Sequence, residues 1–223
     1  MTKTTDGRVK MMCSLAMLCA IAVAVDFFVR LSGIGGFLTY EPKDVVLTIG
    51  AFIYGPIAGI IMSAVVCFIE MVTVSSTGVI GFLMNFLASG VFVGVASVIY
   101  KRDKRMSKAI IGLIAGSLSM IAIMLLWNYI MTPIYMGVPR EAVVKLMLPL
   151  LLPFNAIKAG LNSALVLFLY KGVVTALRKS GLVPERESLD GSNKLTNTVI
   201  LVVVSALCVA TMVLVLLVFA GKL

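Results

Sequence analysis

From Leu146 to Tyr170 the chain reads LMLPLLLPFNAIKAGLNSALVLFLY, an apolar run with one charged residue, Lys158, near its middle. A helix needs ~20 apolar residues to cross a bilayer, and several stretches of this chain approach or exceed that length. With no water in the bilayer core, backbone groups must be satisfied inside the segment, which makes each such run a helix. Hydrophobic residues are 61% of the 223 and charged ones 13%, against about half and about a quarter in ordinary soluble domains. The chain reads as an all-α integral membrane protein.

Within that frame Lys158 is the most telling residue. A lysine at bilayer depth is costly unless it finds a partner, a wet cavity or a ligand. Two asparagines, Asn155 and Asn162, share its helix, so a polar site inside the membrane is the first reading. The alternative is a lysine whose stem snorkels to the headgroups.

Charge is distributed by topology. Thirteen of the nineteen basic residues fall at Lys3–Lys10, Lys101–Lys108 and Lys171–Lys194. The positive-inside rule places those segments, and the N-terminus, in the cytoplasm. Lys43, Arg140, Lys145 and Lys222 then face the other side, and Arg30 and Lys158 lie at membrane positions. The net charge of +9 is accordingly an orientation signal and not a mark of nucleic-acid binding. The four cysteines lie in or beside apolar segments without CxxC spacing, and histidine is absent. These read as packing thiols, with no imidazole metal site or general base.

The apolar pattern divides the chain into a membrane domain of six helices over residues 1–178, a linker at 179–196 and one more spanning helix within 197–223. The six helices are expected at about 11–32, 44–54, 57–74, 79–100, 109–131 and 153–177. Gly33–Pro42 is read as a glycine-rich loop, Gly55-Pro56 as a break, and 132–152 as a loop with an interfacial or re-entrant helix. Asp26 and Arg30, four apart, are expected to pair. Ala16, Ala20 and Ala24 form a smooth face suited to close helix approach, within the chain or to a partner.

In this arrangement Asn85, Asn128, Asn155 and Lys158 converge on one pocket, capped by the loop Tyr40–Asp44 with Glu41. Tyr129, Trp127, Tyr135 and Phe154 offer flat apolar faces. Directional amides beside aromatic surfaces suit a planar heterocycle with imide-like edges. Each asparagine alone could equally be helix-to-helix glue.

The segments NYIMTPIY (128–135), PFNAIK (153–158), IYGPIAG (53–59) and STGVIGFLMN (76–85) resemble the riboflavin-type substrate-binding component of energy-coupling-factor (ECF) vitamin transporters. The resemblance covers about residues 11–177. It implies a six-helix component that captures a vitamin from outside, is not an enzyme and carries no cofactor of its own. It also implies partners: a membrane coupling subunit, on which the first-helix alanines dock, and two cytoplasmic ATPases. Asn128 and Lys158 are then expected to bond the flavin's polar edge, with Asn85, Asn155, Tyr40, Glu41, Asp44 and Tyr129 supporting the site. The segment LTYEPKDV lacks the aspartate-rich turn common in the family, Glu70 stands where many relatives carry lysine, and a seventh helix is additional. Riboflavin, FMN and another vitamin-like ring therefore stay open as ligands.

No GxxxxGK[ST] phosphate loop is present, so ATP-driven transport requires partner subunits. Three other readings are a stand-alone ion-coupled transporter, an intramembrane lipid enzyme and a purely structural subunit. The first lacks an inverted repeat; the second lacks a His-based pair, a suitably spaced Ser-Lys dyad and an acidic metal cluster.

Overall fold

The computed structural model describes residues 2–34, 38–75 and 77–181. The expected linker from residue 182 and the seventh helix lie outside the described residues. Helices dominate: α1 (Thr2–Val29), α2 (Lys43–Tyr54), α3 (Pro56–Thr73), α4 (Gly78–Arg102), α5 (Met106–Met136), the short α6 (Arg140–Leu146) and α7 (Leu152–Lys179). Among the described residues, five helical stretches are long and apolar enough to cross a membrane; α2 is not one of them.

Local chemistry sets most boundaries. Gly55 takes φ +102° and Pro56 opens α3, an ending that needs glycine followed by the residue best suited to a first helical turn. Where the sequence suggests an end near Met131, α5 runs on through Pro133 and stops at Gly137. That glycine supplies the left-handed residue which commonly ends a helix. The 132–152 segment is mostly helical: α6 passes through one π-helical turn, Met147–Leu151, directly into α7.

The expected Gly33–Pro42 loop contains an antiparallel hairpin, β1 (Leu31–Ile34) with β2 (Leu38–Tyr40), pairing Leu31 with Tyr40 and Ser32 with Thr39. Among the described residues it is the exception to helix.

Packing centres on α2, which touches α1, α3, α4 and α7 and buries nine of its residues, Lys43 and Asp44 included. At the far end of α2, Phe52 stacks on Tyr100 at 4.3 Å between centroids, and the Tyr100 and Tyr170 hydroxyls meet at 2.8 Å. The α4–α5 crossing is closer still. A Cβ on Gly112 would lie 2.6 Å from the Ala96 carbonyl oxygen, and one on Gly116 2.7 Å from that of Phe92. This is a Gly-xxx-Gly contact, in which missing side chains let two backbones touch. On α1 the buried side is Ser14, Leu18, Ala22 and Asp26, while Ala16, Ala20 and Ala24 are exposed.

Candidate functional site

Seven buried or half-buried charges meet at the hairpin end of the bundle: Asp26 and Arg30 on α1, Glu41 after β2, Lys43 and Asp44 on α2, Glu70 on α3 and Lys158 on α7. They come from apolar segments that must cancel their charge locally, because an unpaired ion in low dielectric costs several kcal/mol.

Glu41 is the hub. Its carboxylate lies 3.1 Å from Lys43 and 3.1 Å from Lys158, and Arg30 approaches it at 3.4 Å. The Asn85 amide donates to Glu41 at 2.7 Å and to Glu70 at 2.8 Å. Glu70 in turn forms an ion pair with Arg30 at 2.9 Å and accepts from Lys43. Burial opposes ionisation of Glu41, yet Lys158, Lys43 and Arg30 together hold its carboxyl well below the usual carboxylate range.

A second layer lies beside this hub. The Tyr40 hydroxyl donates to Asn162 at 3.0 Å, and the Asn162 amide donates to Asp44 at 3.3 Å. The Ser89 hydroxyl donates to the other Asp44 oxygen. Burial, and after it the Asp44 charge, push the Tyr40 phenol up, so it stays a neutral donor.

Above the charges opens a cavity of ≈ 80 Å³ lined by polar Arg30, Glu41, Asn85, Asn128, Asn155 and Lys158, with Leu38, Met84, Met124 and Phe154 as its apolar wall. Asn128 and Asn155 each give one amide hydrogen to the carbonyl one turn back, of Met124 and Leu151 respectively, both at 2.7 Å. Each side-chain amide has a second N–H, and the Asn128 side-chain carbonyl accepts from the Thr132 hydroxyl at 2.8 Å. Leu151, which accepts from Asn155, closes the π turn; such turns often occur at functional sites.

Five of the eight ligand-site residues expected from sequence, Glu41, Asn85, Asn128, Asn155 and Lys158, therefore share one cavity. Tyr40 and Asp44 form the layer beside it. Tyr129 does not line it: this residue sits on the exposed face of α5, 39% accessible, with the Arg140 guanidinium 5.8 Å from its ring centre. Tyr135 is exposed too. Lys43 is fully buried between Glu41 and Glu70, whose two carboxylates compensate its ammonium. The Asp26–Arg30 pair forms, at 3.6 Å, but Arg30 extends beyond it into the cavity wall. Arg30, Lys43, Glu70, Asn162 and Ser89 were not expected at the site. The available signal was charge balance: opposite charges in separate apolar segments need one another.

The model of the ECF transporter substrate-specific component matches residues 10–170. The chain is 28% identical over 177 residues to the riboflavin transporter RibU of Staphylococcus aureus (strain TCH60), covering 76% of this chain and 93% of that protein. It is 27% identical over 161 residues to the riboflavin transporter FmnP of Bacillus subtilis (strain 168), covering 68% and 85%. A solved S component of a bacterial ECF transporter superposes with a TM-score of 0.66 at 28% identity, covering 77% of this chain and 99% of that one. With the matched segment spanning every described helix from α1 to α7, the chain belongs to the family of substrate-specific components of ECF transporters.

Proposed function

We propose that this chain captures riboflavin at the outer face of a prokaryotic plasma membrane and delivers it together with a membrane coupling subunit and two cytoplasmic ATPases. One observation carries the reading: a cavity between the spanning helices that is lined by amide and ammonium donors and by an apolar wall of Phe154, Met84 and Met124. A flavin ring has that division, a polar pyrimidine edge and flat apolar faces. The names of both relatives support the same ligand. Typical small-molecule sites enclose about 300 Å³ or more, against ≈ 80 Å³ in this cavity. Ring entry thus requires the walls of this cavity to move apart. The basic residues at Arg8, Lys10 and Lys101–Lys108 support a cytoplasmic N-terminus.

The test is a titration of the purified chain with riboflavin, followed by quenching of flavin fluorescence. Saturable binding is expected, and Asn128→Ala and Lys158→Ala should each weaken it by about 1–3 kcal/mol, the range for a lost buried hydrogen bond. Unchanged affinity in both variants would remove the proposed pocket from the account. No riboflavin binding by the parent chain would transfer the site to another vitamin-like heterocycle.

The exposed alanines of α1 are assigned to the coupling subunit. Ala20→Leu should leave riboflavin affinity within about twofold while preventing co-purification with that subunit, since small-residue faces work by close backbone approach. Normal assembly of this variant would assign the face to lipid.

A further inference from the structure

The turn between α4 and α5 carries a charge that the cavity does not use. Between Glu70 and Glu141 the sequence holds one carboxylate, Asp103, and around it stand Lys101, Arg102, Lys104, Arg105 and Lys108. They join two helices that are each long and apolar enough to cross a membrane. Lys101, Arg102, Lys104 and Arg105 are exposed, and Lys108 is half-buried. Asp103 pairs with Arg105 at 3.5 Å, but their side chains are 41% and 79% accessible, and an ion pair so open to solvent is worth little. One carboxylate cannot neutralise five cations, so the turn presents an excess of positive charge.

The backbones hold those charges together. Across the antiparallel α4–α5 contact Ala96 meets Gly112 and Phe92 meets Gly116. The same register, continued toward the turn, sets Arg102 level with Met106 and Lys101 level with Ser107. Cations from the end of one helix and the start of the next therefore share one level. From there α5 turns an open face outward: Ser107, Ile111, Ile114 and Leu118 are all exposed, and residues three and four apart lie on one side of a helix. Ile111, Ile114 and Leu118 are 50%, 56% and 63% accessible. A cationic rim is thus continuous with an apolar strip that runs down the membrane-spanning part of α5.

That order of chemistries selects the occupant. A soluble anion or an acidic protein segment would meet the rim alone, and an uncharged lipid the strip alone. A phospholipid of net negative charge meets both, with its phosphate at the helix ends and an acyl chain along α5. We infer that the α4–α5 turn and the adjoining face of α5 form a binding surface for an anionic phospholipid. Lys101, Arg102, Lys104, Arg105 and Lys108 supply the charge, and Ile111, Ile114 and Leu118 the chain contact. Basic residues beside a membrane segment attract anionic headgroups, each adding a factor of about five.

The experiment equilibrates the full chain, in a neutral detergent, with equal amounts of phosphatidylglycerol and phosphatidylcholine. Lipid retained through gel filtration is then quantified. Phosphatidylglycerol should be enriched at least about fivefold, the effect of a single cation. Lys104→Gln/Arg105→Gln/Lys108→Gln should cut the enrichment at least about threefold, while Arg8→Gln/Lys10→Gln, at the start of α1, should leave it unchanged. The two lipids compete on the same molecules, so their ratio is indifferent to losses of folded protein. Excess glycerol 3-phosphate, a headgroup without chains, should displace neither lipid. Equal retention of the two lipids overturns the inference. An enrichment unmoved in the triple variant also overturns it and leaves the turn to an acidic protein partner. An equal loss in the α1 variant overturns the assignment to this turn, and displacement by glycerol 3-phosphate makes the rim a phosphate site with no part for the apolar strip.

Discussion

Lys43→Met should lower the melting temperature of the purified chain by about 10 °C and abolish capture of ligand. The methionine fills a similar volume, so the loss is electrostatic. Glu41 and Glu70, both about fully buried, would face each other with only Arg30, Lys158 and Asn85 to compensate them. Removing one partner of a buried ion pair typically destabilises by about 3–5 kcal/mol, which for a chain of this size is about 10 °C. Trp127, the single tryptophan, sits half-buried on α5 and reports the transition. Adding Glu70→Gln to Lys43→Met removes the excess negative charge and should restore part of the loss. Melting within about 2 °C of the parent in the single variant would show that the network does not hold this end of the bundle.

Gly112→Ala should also destabilise strongly, by about 1–3 kcal/mol, although it adds one methyl group. Its new Cβ would sit 2.6 Å from the Ala96 carbonyl oxygen, an atom of the facing helix backbone that has no rotamer to escape into. The helices would have to separate along their whole contact. Gly94→Ala, on α4 but turned toward Ile60 of α3, is the control. A Cβ there meets only Ile60 side-chain atoms at 3.6 and 3.7 Å, ordinary contact, and alanine is the better helix former. The same melting assay should therefore rank Gly94→Ala at or above the parent and Gly112→Ala well below. Equal melting of the two variants would contradict the α4–α5 crossing described here.

Much of this architecture was legible before any coordinates, for identifiable reasons. Apolar runs and the Gly55-Pro56 break place α2, α3 and α4 within about two residues, since lipid permits little besides helix there. Asn85, Asn128, Asn155 and Lys158 stood out because each is costly where it lies. The misses have a common cause. Sequence spacing reveals partners one turn away, so Asp26 and Arg30 were paired; it is silent about partners on other helices. Lys43 and Glu70, 27 residues apart, meet only because α2 folds back beside α3. Tyr129 misled for the converse reason. It follows Asn128 directly, and neighbours on a helix point about 100° apart, so the two cannot both face the cavity. The hairpin was hidden because the ten residues 31–40, three of them glycine, carry no strand pattern strong enough to distinguish pairing from a loop.

The burial of α2 on every side has a consequence for how the chain is made. Its 12 residues reach about 18 Å, well short of the ~30 Å of hydrocarbon, and they begin with a lysine and an aspartate. The insertion machinery reads segments as they emerge and disfavours charges at depth, so α2 has no lasting place in lipid when first synthesised. Glu41 precedes it, but two further partners arrive later: Glu70, 27 residues on from Lys43, and Asn162, which donates to Asp44, 118 residues on. The second helix to leave the ribosome is therefore among the last to settle. A nascent chain halted before α7 leaves Asp44 and Glu41 without Asn162 and Lys158, and membrane quality control meets it as unfinished rather than as a smaller working protein.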